Sequence, residues 1–148
     1  MEKKEYTFKE ISNTLIAADV YYTKENAGSK SPIALHFHGG NFVVGSKALL
    51  GEQHVKKLLE LGFIVVSANY RLCPTTTVYD GPVQDAFDAY NWARTTLPGL
   101  LKSDAGIEAD GMILLDWIGA GSEVRSSPVQ SRDPRCSRIA SADPVSRS

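Results

Sequence analysis

The chain is expected to fold as an α/β domain, a parallel-rich sheet with flanking helices. Three observations predict this. The short apolar runs at residues 33–37, 63–68 and 111–115 have the length and composition of buried strands. Between them lie two amphipathic stretches, 47–61 and 82–96, each long enough for a helix. Strand–helix–strand–helix–strand in that order calls for crossover connections and therefore for parallel strands covered by helices.

Taken in order, residues 14–22 are rich in apolar and β-branched side chains and suit a strand, with 6–11 as a possible partner. Residues 24–31 are polar, contain a glycine and read as a turn. Residues 33–37 form a short apolar strand. The 47–61 stretch carries Val55, Leu58 and Leu59 on one side and meets Gly62, a natural helix stop. Residues 63–68 are almost continuously apolar, as expected for a central strand. The 82–96 stretch has apolar residues at 83, 86, 87, 90 and 93, with Pro82 suited to the first helical turn. Residues 111–115 supply the last strand. There are no internal repeats.

The composition bounds the function. At 148 residues and 43% hydrophobic content the chain can build one real core. A net charge of −1 gives no electrostatic reason to expect nucleic acid or an anionic membrane as partner. No apolar run approaches the roughly 20 residues of a membrane helix, and the charged start, Met1 to Tyr6, is not followed by a signal-type apolar segment. A cytoplasmic location is therefore expected. Cys73 and Cys136 lack metal-ligand or redox spacing and are read as unpaired thiols.

The composition also divides the chain. Residues 1–121 carry nine Lys and two Arg; residues 122–148 carry no Lys, five Arg and eight Ser. The first segment is expected to be the folded domain and the second a disordered Ser/Arg-rich tail. Such a tail could be natural. The abrupt switch in basic residues favours a coding sequence that has left its frame.

The chemistry concentrates at Leu35-His36-Phe37-His38-Gly39-Gly40-Asn41-Phe42. A strand runs directly into His-Gly-Gly. Two glycines let the backbone turn sharply and present N–H groups at close range, as a developing oxyanion in acyl transfer requires. The plainer reading is a tight turn after a strand. Asn41 tolerates left-handed backbone better than most residues, so the turn can continue through it.

Several segments together resemble one family. His38 to Ser46 is similar to the oxyanion loop of the hormone-sensitive-lipase-like α/β-hydrolases, the fold-3 group. Val65 to Pro74 resembles that family's fourth strand and its Tyr-Arg-Leu-x-Pro exit, and Gly81 to Ala93 the helix that follows. The resemblance spans residues 5–120 and is nearest to fungal esterase-like members. It implies an α/β-hydrolase sheet that is incomplete on its C-terminal side. It further implies an oxyanion hole at Gly39, Gly40 and Asn41, ordered by His38, and a small-molecule ester or acyl substrate in intact relatives.

The chain departs from the family where the nucleophile is expected. The strand at 112–115 should run into Gly-x-Ser-x-Gly but continues Asp116-Trp117-Ile118-Gly119-Ala120-Gly121. Alignment on the tryptophan sets Asp116 at the first glycine and Ile118 at the serine. Isoleucine is no nucleophile, and a β-branched residue fits poorly in an elbow that needs φ > 0. Ser122 is read as an ordinary loop serine. No histidine follows His54, so neither nucleophile, acid nor base of a Ser-Asp-His order is found.

The remaining polar residues are read structurally. His36 is expected to be a satisfied core side chain and His54 to face solvent. His36 and His38 share a strand face, but no carboxylate or thiol evidently converges on them, so no metal is expected. No cofactor is expected either. Asp85 is assigned to the start of a helix rather than to catalysis, and Tyr70 and Arg71 to a strand exit. Three functional expectations follow: a hydrolase relative inactive as written, a non-catalytic module binding a carboxylate or ester, or the product of a truncated or frame-shifted gene. An apolar last strand left at the sheet edge would invite self-association.

Overall fold

A computed structural model describes residues 1–24 and 29–117. Five strands form one sheet: β1 (Glu2–Ile11), β2 (Thr14–Tyr22), β3 (Lys30–Phe37), β4 (Ile64–Ala68) and β5 (Glu108–Trp117). The helices are α1 (Glu52–Glu60), α2 (Gln84–Thr95) and α3 (Leu97–Ala105). The spatial order is β1-β2-β4-β3-β5. β1 and β2 form an antiparallel hairpin, β2 runs antiparallel to β4, and β3 lies parallel to both β4 and β5. The expected crossovers are present.

The crossover from β3 to β4 steps one way across the sheet and the crossover from β4 to β5 steps back past β3, so equal handedness puts their helices on opposite faces. One core layer sets Ile33, Leu35, Phe37, Ile64 and Val66 against Ala89, Trp92, Ala93, Leu97 and Leu101 of α2 and α3. The other sets Ala34 and Val65 against Val55, Leu58 and Leu59 of α1. The alternation of one strand between two layers is the period-two geometry of a pleated sheet. Full burial of each Val, Leu, Ile or Phe side chain among them contributes about 1.5–3 kcal/mol. Among the described residues no helix is long and apolar enough to cross a membrane.

Three elements differ from expectation. The 47–61 stretch is not one helix: Lys47–Leu49 is a short 3₁₀ turn, Leu50 is extended and buried, and α1 starts after Gly51. Tertiary bonds explain the break. The Lys47 N–H donates to Asn69 Oδ1 at 2.7 Å, Ser67 Oγ donates to the Lys47 carbonyl at 2.9 Å, and the Lys47 ammonium pairs with buried Asp19. The 82–96 helix begins earlier, through a π turn at Tyr79–Val83, and its buried side is Asp85, Ala89, Trp92 and Ala93. Val83 and Phe87, expected inward, are exposed. Finally, α3 was not foreseen. Pro98 opens it and Gly106 closes it in a left-handed cap at φ 69°.

Candidate active site

The site sits at the carboxyl ends of β3 and β4. Their outgoing chains leave for opposite faces of the sheet, which opens a crevice between them. Residues 38–46 fill the mouth of this crevice. Gly40 has φ 119°, and its carbonyl accepts from the N–H groups of Val43 and Val44 at 3.0 and 3.2 Å. A Cβ on Gly40 would lie 1.8 Å from the Val44 carbonyl oxygen, and one on Gly45 would lie 2.3 Å from His38 Nδ1. Only glycine fits either place. Asn41 does adopt left-handed backbone, at φ 52°. Among the described residues, no acceptor lies on the backbone N–H groups of Gly39, Gly40 or Asn41.

His38 holds this loop. Its Nδ1–H donates to the Gly39 carbonyl at 2.8 Å, and its ring stacks on Tyr70 with centroids 4.1 Å apart. The Tyr70 hydroxyl donates to the His38 carbonyl at 2.7 Å. Burial holds the imidazole below its ordinary pKa, against the opposing bond to Gly39, so it is the neutral tautomer that orders the loop. Its Nε2 is buried with no partner among the described residues. The Phe42 carbonyl accepts from the Cys73 N–H at 2.8 Å, which ties the middle of the loop to the exit of β4.

Arg71 and Asp85 pair at the exit of β4. Asp85 is 0% exposed and accepts from the Arg71 N–H, Nε and Nη2 at 2.8–2.9 Å and from Lys9 Nζ at 2.6 Å. Burial alone would raise this carboxyl, but Arg71 and Lys9 outweigh it and hold it low. The residue joins β1, the β4 exit and α2.

An open cleft of about 270 Å³ adjoins the loop, lined by His36, His38, Gly39, Gly40, Val44, Gly45 and Leu49. Backbone donors at one wall and apolar side chains around them suit a neutral acyl group that gains charge at its oxygen. A second open cleft, of about 290 Å³, lies at the far end of the sheet around Lys30, Lys102 and Glu108, away from these donors.

Two expectations about the other histidines need correction. His54 is 41% exposed, yet its Nε2 lies 2.7 Å from Asp116 Oδ2. His36 is buried as expected, but a carboxylate does converge on it: its Nδ1 lies 3.2 Å from the same oxygen. The cause is sheet register, which pairs His36 with Asp116 across β3 and β5. Spacing along the chain cannot reveal that pairing; an aspartate closing an apolar strand was the only hint. The two imidazoles meet on one oxygen rather than around an open centre. Among the described residues no group of three or more His, Cys, Asp or Glu side chains is placed to hold a metal ion. Ile118, Ser122 and the 122–148 segment lie outside the described residues.

Comparisons with known proteins agree with this fold. Residues 34–115 match the model of a family described as alpha/beta hydrolase fold. The chain is 41% identical over 108 residues to the non-reducing polyketide synthase ausA of Emericella nidulans, covering 70% of this chain and 4% of the synthase. It is 35% identical over 122 residues to methylphloroacetophenone synthase of Cladonia uncialis, covering 80% and 5%. Among solved structures it is similar to the Pyrobaculum calidifontis esterase at TM-score 0.61 and 30% identity, covering 81% of this chain and 36% of that one. A Thermogutta terrifontis esterase shares the fold at TM-score 0.61 and 20% identity, covering 77% and 39%. The chain thus spans a small part of the synthases and well under half of the esterases. With the sheet, the loop after β3 and the family match in agreement, this chain belongs to the alpha/beta hydrolase fold family and is related to carboxylic-ester hydrolases.

Proposed function

We propose that residues 1–121 form the N-terminal part of an α/β-hydrolase domain. Its cleft binds the acyl or carboxylate end of a small molecule without serine-dependent turnover. Gly39, Gly40 and Asn41 supply the N–H donors and His38 orders them. The observation that carries this reading is the exit of β5. β5 ends at Trp117, paired with Phe37 just before the loop, and in the sequence the next residue, at the position aligned with a nucleophile, is isoleucine. Loss of the serine in a comparable triad costs on the order of 10⁶ in turnover. The similarity to polyketide synthases supports a polyketide-type acyl group as ligand.

Propionate and butyrate, each bound in a solved complex of the Thermogutta esterase, are suitable probes. Calorimetry should detect their binding, and paraoxon should leave every serine unmodified by mass spectrometry. A stoichiometric phosphoserine would overturn the reading. A second reading rests on the switch from Lys to Arg after residue 121. Under it the tail is out of frame, and a shifted frame downstream of codon 111 should restore Gly-x-Ser-x-Gly in the genomic DNA.

A further inference from the structure

We propose that His36 and Asp116 form a base couple that lets the cleft hydrolyse activated esters directly with water, without an acyl-enzyme. This rests on the reading of Gly39, Gly40 and Asn41 as oxyanion donors and adds a proton acceptor to them.

Three observations place the couple. His36 lines the same cleft as Gly39 and Gly40. Its Nδ1 faces Asp116 Oδ2 at 3.2 Å, which leaves Nε2 as the ring nitrogen turned away from that carboxylate. His54 contributes from α1, with Nε2 2.7 Å from the same carboxylate oxygen. A carboxylate on Nδ1 fixes the proton there, leaves the Nε2 lone pair as the base and stabilises the imidazolium that forms. Burial would raise the Asp116 carboxyl, but the two imidazoles outweigh it and keep it ionised. Here the register of β3 and β5 supplies an imidazole and a carboxylate within one sheet.

The step balances without a co-reactant other than water. Nε2 of His36 accepts a proton as the water oxygen bonds to the ester carbonyl carbon. The carbonyl oxygen becomes the oxyanion, held by the loop N–H groups. Its collapse breaks the bond to the leaving oxygen, which takes the proton back from the imidazolium or departs as phenolate while the proton passes to solvent. General-base assistance of this kind contributes about 10²–10⁴ in rate.

The test uses the full chain and p-nitrophenyl acetate. Steady release above the buffer rate is expected, with no burst, no inhibition by paraoxon and a rate about twofold lower in D₂O, as proton transfer in the transition state requires. His36→Asn keeps a donor toward Asp116 but removes the base. It should lower kcat about 10²-fold with little change in KM. Asp116→Asn should lower kcat at least about tenfold by releasing the tautomer, and Ser122→Ala should leave the rate unchanged. A folded His36→Asn protein, judged by its melting curve, that retains the wild-type rate overturns the proposal. If that variant fails to fold, the wild-type isotope effect decides: a rate equal in H₂O and D₂O overturns it. Absence of any hydrolysis above buffer sinks this proposal alone, whereas a paraoxon-labelled serine also sinks the reading of the site on which it rests.

Discussion

Gly40 is the residue on which the loop depends most directly. Its φ of 119° and the 1.8 Å approach of Val44's oxygen to a notional Cβ leave no room for a side chain. Gly40→Ala is expected to cost about 1–3 kcal/mol from backbone strain before any clash is counted. Butyrate binding should be lost with it, which thermal melting and calorimetry would check together. Asp85 is the second such residue. Its carboxyl is held below the ordinary 3.8, so the folded state binds its proton less readily than the unfolded chain. The stability it contributes is present above that value and is lost as pH falls through the lower folded value. Urea melts across pH 5 to 2 should show this loss, and Asp85→Asn should flatten it. Asp85→Ala should destabilise by about 3–5 kcal/mol, because Arg71 and Lys9 lose their buried partner. The glycines were legible in the sequence because a positive φ is a local demand. The burial of Asp85 was not, since its partners come from β1 and from the β4 exit.

Among the elements, the exit of β4 does most to shape the site. Ser67, Asn69 and Tyr70 each bond the segment that follows β3: Ser67 and Asn69 hold Lys47, and Tyr70 holds His38. The loop is therefore clamped at both ends by one neighbouring strand. Tyr70→Phe removes a single hydroxyl and keeps the stack on His38. It should cost about 0.5–1.5 kcal/mol and weaken butyrate binding about five-fold, read by melting and titration. The same clamp explains the helix that began late. Residues 47–50 have a helical pattern, but tertiary bonds to Asp19, Asn69 and Ser67 outweigh a propensity worth tenths of a kcal/mol per residue. In α2 the apolar positions 83 and 87 mislead for a related reason. The helix buries Asp85, paired with Arg71, on the same side as Ala89, Trp92 and Ala93, and this leaves 83 and 87 outward.

At the scale of the molecule, β5 pairs on one side only among the described residues, with β3. Leu115 on it is 59% exposed and Met112 36%. An apolar strand with a free edge is a template for pairing with another chain. We expect the sedimentation coefficient to rise with protein concentration. Leu115→Lys should restore concentration-independent monomer without lowering the melting temperature by more than a few degrees. A wild-type sample that stays monomeric across the same range would show that the edge is not used in this way.

The sequence by itself determined the class of fold, the strands, the family and the glycine loop. Each is written in local periodicity or in residues whose backbone freedom cannot be substituted. It also determined that isoleucine follows Trp117 where a nucleophile is expected. The tertiary structure alone decided where α1 begins and that Asp85 is a buried anchor. It alone set His36 and His54 on one carboxylate. Those facts depend on strand register and on which faces meet across the sheet. Residues 36 and 116 become neighbours only when β3 and β5 align, and no spacing along the chain encodes that alignment.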